Sequence, residues 1–359
     1  MNKEMLTGKG LPENRAASVV QRYDHIQVFR VLACLGVFLT HLAPRMGASG
    51  LVYRVANFGA SGVYLFFLIS GFLACGSREL FWKGRGKDTL AYYIRRLFRI
   101  LPLYYVVVFA QILLHQVILR DVPPDPGGLY WLRYFLLTDV VLPAPSDFWG
   151  NLGATWTIGL FVAFYLLAPL LMRIARSAPS ALFLYLAAVG LRYVWAGLGL
   201  SAYMMLFHYL HFFLLGIWVR YLSERMSPAK GAACMAVLSL GLGVGLSLLH
   251  QEGDYFMRLS WLFAVLILLT RDFSWDKSRC HGLGKLFSLL DTCSYGIYLV
   301  HGFVLEGIGR LQGHIALPAP FVLCLAVLLT AAGVWAARRL VEEPMEKLGR
   351  KLVAGIRIC

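Results

Sequence analysis

Carboxylates are scarce in this chain. Nineteen Asp and Glu stand against 34 Lys and Arg in 359 residues, and charged residues of both signs make up only 15%. A soluble globular chain usually carries about 25%, so a water-exposed globule is excluded. With 59% hydrophobic residues and a mean hydropathy of +0.66, the implied solvent is the bilayer. The net charge of +15 would indicate nucleic acid in a soluble protein. Here the basic residues fall in short segments between apolar runs, the pattern of loops facing anionic head groups, so membrane lipid is the expected partner and nucleic acid is not. Cysteine is also thin. Cys34, Cys75, Cys234, Cys293 and Cys324 lie in or against apolar runs, which excludes a readable disulfide framework.

Linkers are missing too. No Ser/Pro-rich stretch divides the chain, and the longest polar connection lies between Arg120 and Asn151. One membrane-embedded domain over residues 25–345 is expected, with cytoplasmic tails at 1–24 and 346–359. No small-residue cleavage pattern follows the first apolar run, so it reads as a retained helix. Little internal repetition is visible, which weighs against a transporter built from inverted repeats.

What is present is a series of apolar runs, each long enough for a helix of about 20 residues to cross the bilayer. They lie near 26–43, 57–76, 100–119, 155–172, 181–199, 203–222, 230–249, 256–270, 286–309 and 320–340. The fold class is therefore all-α, a polytopic bundle of about ten transmembrane helices. The 77–99 segment carries seven Lys and Arg and reads as a cytoplasmic loop. The other basic segments then fall on that same side with both termini. The opposite connections hold Asp121, Asp125, Asp139, Asp147, Glu252 and Asp254.

Polar groups inside hydrocarbon are costly and mark function. Arg30 and His41 are eleven residues apart, which returns them to one helix face about 16 Å apart along the axis. They suit two depths of one tunnel, or a snorkelling arginine with an interfacial histidine. Arg95, Arg96 and Arg99 gather at helical spacing before Ile100-Leu101-Pro102, fit either for the phosphates of a donor such as acetyl-CoA or for setting topology. Ser70-Gly71 sits in an aromatic run, a sign of close helix packing. His208 and His211 lie three apart with no evident third ligand, so no metal is expected and they read as interfacial or substrate-facing. Tyr298 and His301 share a face with Glu306, as a structural trio or a catalytic one. Trp156 belongs to an outer rim of Trp, Tyr and His fit for sugar.

In order along the chain, these segments resemble the acyltransferase-3 family of bacterial membrane O-acyltransferases. Arg30 and His41 match its Arg-x10-His. Gly62-Val63-Tyr64-Leu65-Phe66-Phe67-Leu68-Ile69-Ser70-Gly71-Phe72-Leu73 is similar to its Gly-Val-Asp-Leu-Phe-Phe-x-x-Ser-Gly-Phe-Leu, and Arg96 to Pro102 to its Arg-x-x-Arg with following Pro. Trp156-Thr157-Ile158 with Phe164-Tyr165-Leu166-Leu167 and Pro169, then Ser294-Tyr295 through Tyr298-Leu299-Val300-His301, complete the likeness. Two positions depart from the pattern: Tyr64 stands where the family has Asp, and Phe161 where it has Glu. Glu306 and Asp147 are the candidate replacement acids.

The resemblance implies acyl transfer, most often of acetyl from acetyl-CoA, to a hydroxyl of a surface or exported polysaccharide or its lipid-linked precursor, in the inner membrane. Polysaccharide assembly or export machinery would be a partner. In that scheme Arg95, Arg96 and Arg99 hold CoA phosphates, with Ser70 on the donor path and Arg30 fixing the donor. His41 is the base, supported by Glu306, while Trp156, Tyr298, His301, His208 and His211 face the acceptor. A carrier or flippase for a polysaccharide intermediate, with the same polar groups lining a pathway, is the alternative.

Overall fold

A computed structural model describes residues 23–83, 86–120, 130–141, 156–200, 205–248, 255–277 and 281–358. Among these there is no strand. The helices are α1 Asp24–Arg45, α2 Gly50–Phe58, α3 Gly62–Cys75, α4 Arg78–Trp82, α5 Gly86–Ile112, α6 Tyr130–Leu136 and α7 Trp156–Ile174. They continue with α8 Ala178–Gly197, α9 Met205–Arg225, α10 Pro228–Leu248, α11 Tyr255–Leu269, α12 His281–Gln312, α13 Ala319–Ala337 and α14 Glu343–Ile358.

Each of the ten expected spans falls on a helix. Among the described residues, eight helical stretches are long and apolar enough to cross a membrane. The other two are α11, 15 residues long, and α12. At 32 residues α12 has ample length, but it carries Asp291, Ser294, Tyr295, Tyr298, His301 and Glu306, no two neighbours in that series more than five positions apart. That stripe lowers its hydropathy while its remaining faces stay apolar.

The apolar exterior confirms the solvent. Val237, Leu240 and Leu248 on α10 and Leu328 on α13 are each more than two-thirds exposed, which is the reverse of a soluble helix and suits contact with lipid. The interior is organised around α9, whose Phe212, Phe213, Leu215, Ile217 and Val219 are all fully buried. A helix apolar all round belongs at the centre. It lies directly against α3. A Cβ on Gly71 would overlap the Phe213 carbonyl, and one on Gly216 would overlap that of Leu68, so only glycine at both points lets the backbones meet.

Most of the described part of the segment read as a loop at 77–99 is helical. It forms α4 and the first turns of α5, which continues through a π-helical stretch, Leu113–Leu119, to give 34 residues. At 1.5 Å per residue that is about 51 Å, well beyond the apolar thickness of a bilayer. The arginines are therefore borne on a helix extending past the apolar layer. The last stretch, 346–358, is helical as well and lies along α5, Gly349 packing on Phe98.

Two sets of contacts define the ends of the bundle. Trp82 donates to the Met172 carbonyl, Tyr221 to that of Ala175, Arg271 to those of Ser223 and Met226, and the Trp275 amide to Asp24. These join the start of α1 to the ends of α4, α7 and α9 and to the segment after α11. At the other end, Gln312 donates to the Arg45 carbonyl and Tyr104 to that of Tyr134.

Candidate active site

A cavity of about 880 Å³, including its open mouth, lies between α1, α3, α5, α7 and α12. Its apolar wall includes Val63, Phe66, Ile69, Ile158 and Phe161. The polar lining contains Arg30, Ser70, Arg96, Arg99, Thr157, Tyr165 and Tyr298. Helical periodicity explains the assembly. Phe66, Ile69, Ser70 and Leu73 share one face of α3 while Phe67, Leu68 and Phe72 turn into the core, and Arg96, Arg99 and Ile100 share one face of α5.

Each cationic group is held differently. Arg30 donates from Nη1 to Asp291 Oδ1 at 2.7 Å, joining α1 to α12. The Arg96 guanidinium lies 5.1 Å from the Tyr165 ring centre and 5.6 Å from that of Tyr92, a cation–π arrangement that fixes a charge without neutralising it. Tyr165 in turn donates to Ser70 Oγ at 3.4 Å. Arg99 is exposed at the mouth. Three guanidinium groups thus line one cavity with Asp291 paired to the first. Arg95 is exposed and lies outside the lining, because one position on the helix turns it about 100° away from Arg96.

Beyond Tyr298 stands a histidine pair. His41 and His301 have ring centres 5.3 Å apart, and His301 is buried with Nδ1 3.0 Å from the Ile297 carbonyl. Tyr298 lines the cavity, has its ring 6.0 Å from that of His301, and shares a 2.9 Å hydrogen bond with Thr157. It therefore stands between the guanidinium cluster and the two imidazoles.

Other expectations are redirected. Glu306, expected to support His41, lies 2.9 Å from His115 Nε2 and accepts from Arg310 at 3.0 Å and from Gln111 at 3.4 Å. Five residues beyond His301, it is turned about 140° around the helix from it and faces α5. His208 and His211 sit on α9 away from the cavity. His211 is fully buried with Nε2 3.5 Å from Arg192 of α8. Trp156 packs on Phe67 and Tyr209 behind the cavity wall. Among the described residues no three His, Cys, Asp or Glu side chains converge as a metal site.

Phe161 packs against Phe67 and Tyr165, and Tyr64 stacks on Phe256 at 4.2 Å, so aromatic contacts fill both positions where the family carries an acid. Asp147 and the acids at 121, 125, 252 and 254 lie outside the described residues, as does the side chain of Asp139. Sequence reasoning missed Asp291, although an acid inside an apolar run four residues before Tyr295 was a usable signal. It also gave Thr157 no role of its own and did not single out His115.

Fold and cavity define a polytopic helical membrane protein with a cationic, partly apolar chamber set within its bundle. The chain belongs to the acyltransferase-3 family, whose acyltransferase domain matches residues 23–339. It is 31% identical over 171 residues to "Acyltransferase MdmB" of Streptomyces mycarofaciens, covering 45% of this chain and 42% of that protein. It is 25% identical over 311 residues to "Exopolysaccharide production protein ExoZ" of Rhizobium meliloti (strain 1021), covering 83% and 93%. The chain thus spans less than half of the first relative and nearly all of the second. No solved structure matches it significantly.

Proposed function

We propose that this protein moves an acyl group, acetyl in the first instance, from acyl-CoA to a hydroxyl of an exported or cell-surface polysaccharide or its lipid-linked precursor, in the inner membrane with both termini cytoplasmic. One observation carries the reading: Arg30, Arg96 and Arg99 line a single cavity that leads towards the His41 and His301 pair. Guanidinium forks suit the phosphates of CoA, and the apolar wall suits the arm and acyl group that follow them. The exopolysaccharide in the name of the full-length relative supports the acceptor class.

In this scheme Arg96 and Arg99 hold the nucleotide end of the donor at the mouth, and Arg30, kept in place by Asp291, fixes it deeper. His41 removes the proton from the acceptor hydroxyl. The hydroxyl oxygen attacks the thioester carbonyl, the C–S bond breaks, and the CoA thiolate recovers the proton from the imidazolium. A positioned base of this kind contributes about 10²–10⁴-fold. The Ile297 carbonyl orients the His301 ring, which forms the wall against which His41 lies.

The test is release of free CoA by purified protein given acetyl-CoA and a glycan acceptor, with acetyl ester on the glycan read by mass spectrometry. Acceptor-dependent release supports the transfer. Glycan translocation without any CoA release would replace it with the carrier reading.

A further inference from the structure

A second pocket lies at the end of the bundle where α1 begins and α9 ends. Tyr23, His25, Phe72, Arg220, Glu224 and Arg271 are among its lining, and its volume including the open mouth is about 600 Å³. It shares no lining residue with the acyl-transfer cavity. The two lie on different faces of α3, since Phe72 turns away from Ser70 and Leu73.

Two of its groups have hydrogen-bonding capacity that goes unused among the described residues. His25 is 3% exposed, and its Nε2 has no hydrogen-bond partner among the described residues. Arg220 is 7% exposed; its guanidinium is packed 4.6 Å from the Tyr23 ring centre and 5.1 Å from that of Phe72. Its Nε donates to Glu224 at 2.6 Å, while Nη1 and Nη2 make no bond within the described residues. The acids at the pocket are already matched. Glu224 also accepts two bonds from Arg78, Asp272 accepts from Arg271, and neighbouring Asp24 accepts from the Trp275 amide. The outcome is a planar fork, immobilised by two rings and one carboxylate, beside an unpartnered imidazole nitrogen. A buried polar nitrogen such as His25 Nε2 is costly to leave unsatisfied, and an arginine fork matches oxygens that share one centre.

We propose that this pocket binds a phosphate group, two of its oxygens on the Arg220 fork and a third on His25. Two sources present that chemistry at a membrane surface: the headgroup of an anionic phospholipid and a soluble phosphate ester. The site is independent of the acyl-transfer reading, because none of its residues takes part in it.

The full chain in phosphatidylcholine nanodiscs separates these sources. Adenosine 3′,5′-bisphosphate is titrated by calorimetry as the soluble ester. Phosphatidylglycerol is added to the discs in a second arm, and retained lipid is counted by native mass spectrometry. Both arms are run in the Arg96→Gln/Arg99→Gln background, which silences the other cavity. At least one probe binds there, and Arg220→Gln weakens it tenfold or more. His25→Leu weakens it as well without lowering thermal stability, since it removes a nitrogen with no partner among the described residues, and it decides the matter if Arg220→Gln does not fold. Bisphosphate binding alone assigns the soluble ester, and lipid retention alone assigns the headgroup. No binding in either arm, or binding unchanged in His25→Leu and Arg220→Gln, overturns the proposal.

Discussion

Arg30 and Asp291 lie 261 positions apart in the chain and form an ion pair of 2.7 Å between α1 and α12. The pair fixes the two helices that supply His41 and His301, so it sets the depth of the imidazoles as well as balancing a charge. Asp291→Asn leaves the guanidinium without its counter-charge in a low-dielectric interior and is expected to cost about 1–3 kcal/mol. The double variant Arg30→Leu/Asp291→Leu is expected to cost less than the sum of the single changes, because it leaves no orphan charge. Thermal unfolding in detergent across the four proteins measures the coupling, and strictly additive losses would show that the two groups do not depend on one another.

Arg96 and Arg99 are expected to bind the donor. Replacing both by Ala should raise the acetyl-CoA dissociation constant tenfold or more while membrane insertion is unchanged, and Lys should recover only part of the loss because it lacks the planar fork. Arg95→Ala, on the exposed side of the same helix, is the comparison and should change affinity less than threefold. Equal affinity in the parent and the double Ala protein would reduce the pair to a topological role.

His41→Gln should lower turnover by about 10²–10⁴-fold and leave donor binding nearly intact. His301→Ala is not a neutral control, since the ring it removes lies against His41. It should lower kcat about tenfold with little change in KM for the donor. Single-turnover transfer measures both, and a parental rate in purified His41→Ala would exclude the histidine as base.

Gly71→Ala places a methyl group on the Phe213 carbonyl, and Gly216→Ala does the same on that of Leu68. Neither neighbour is a flexible side chain, so the helices must part, at a cost of about 1–3 kcal/mol. Size-exclusion profiles should show loss of monodisperse protein for both. Gly241→Ala on α10, with open space around it, should be silent.

Reporter fusions after Gly84 and after Pro126 should give opposite signals, because the Lys/Arg-rich segments gather on one side. The same signal at both sites would remove one crossing from the topology.

The helices were legible because lipid-facing and core-facing positions are both apolar, and a run such as 230–249 announces itself without a partner. The cavity was legible wherever its residues sit close in sequence, as Arg96 and Arg99 do. What escaped is long-range. Nothing local tells that Asp291 meets Arg30, that His301 lies against His41, or that Glu306 turns to His115; those depend on how α12 is rotated against α1 and α5. The basic segment at 77–99 was read as a loop, apart from the helical spacing of Arg95, Arg96 and Arg99, for a simpler reason. Arginines at three- and four-residue spacing serve a helix as well as a loop, and charge reports the side of the membrane rather than the backbone conformation.

The hydroxyl contact between Tyr298 and Thr157 bears on the energy economy of the cell. A water column running unbroken from Arg30 to His41 would offer protons a conductive route, each falling through about 2.3 kcal/mol per 100 mV of membrane potential. Tyr298 and Thr157 stand where such a column would pass, and the donor arm that runs by them towards His41 would itself take the place of that water.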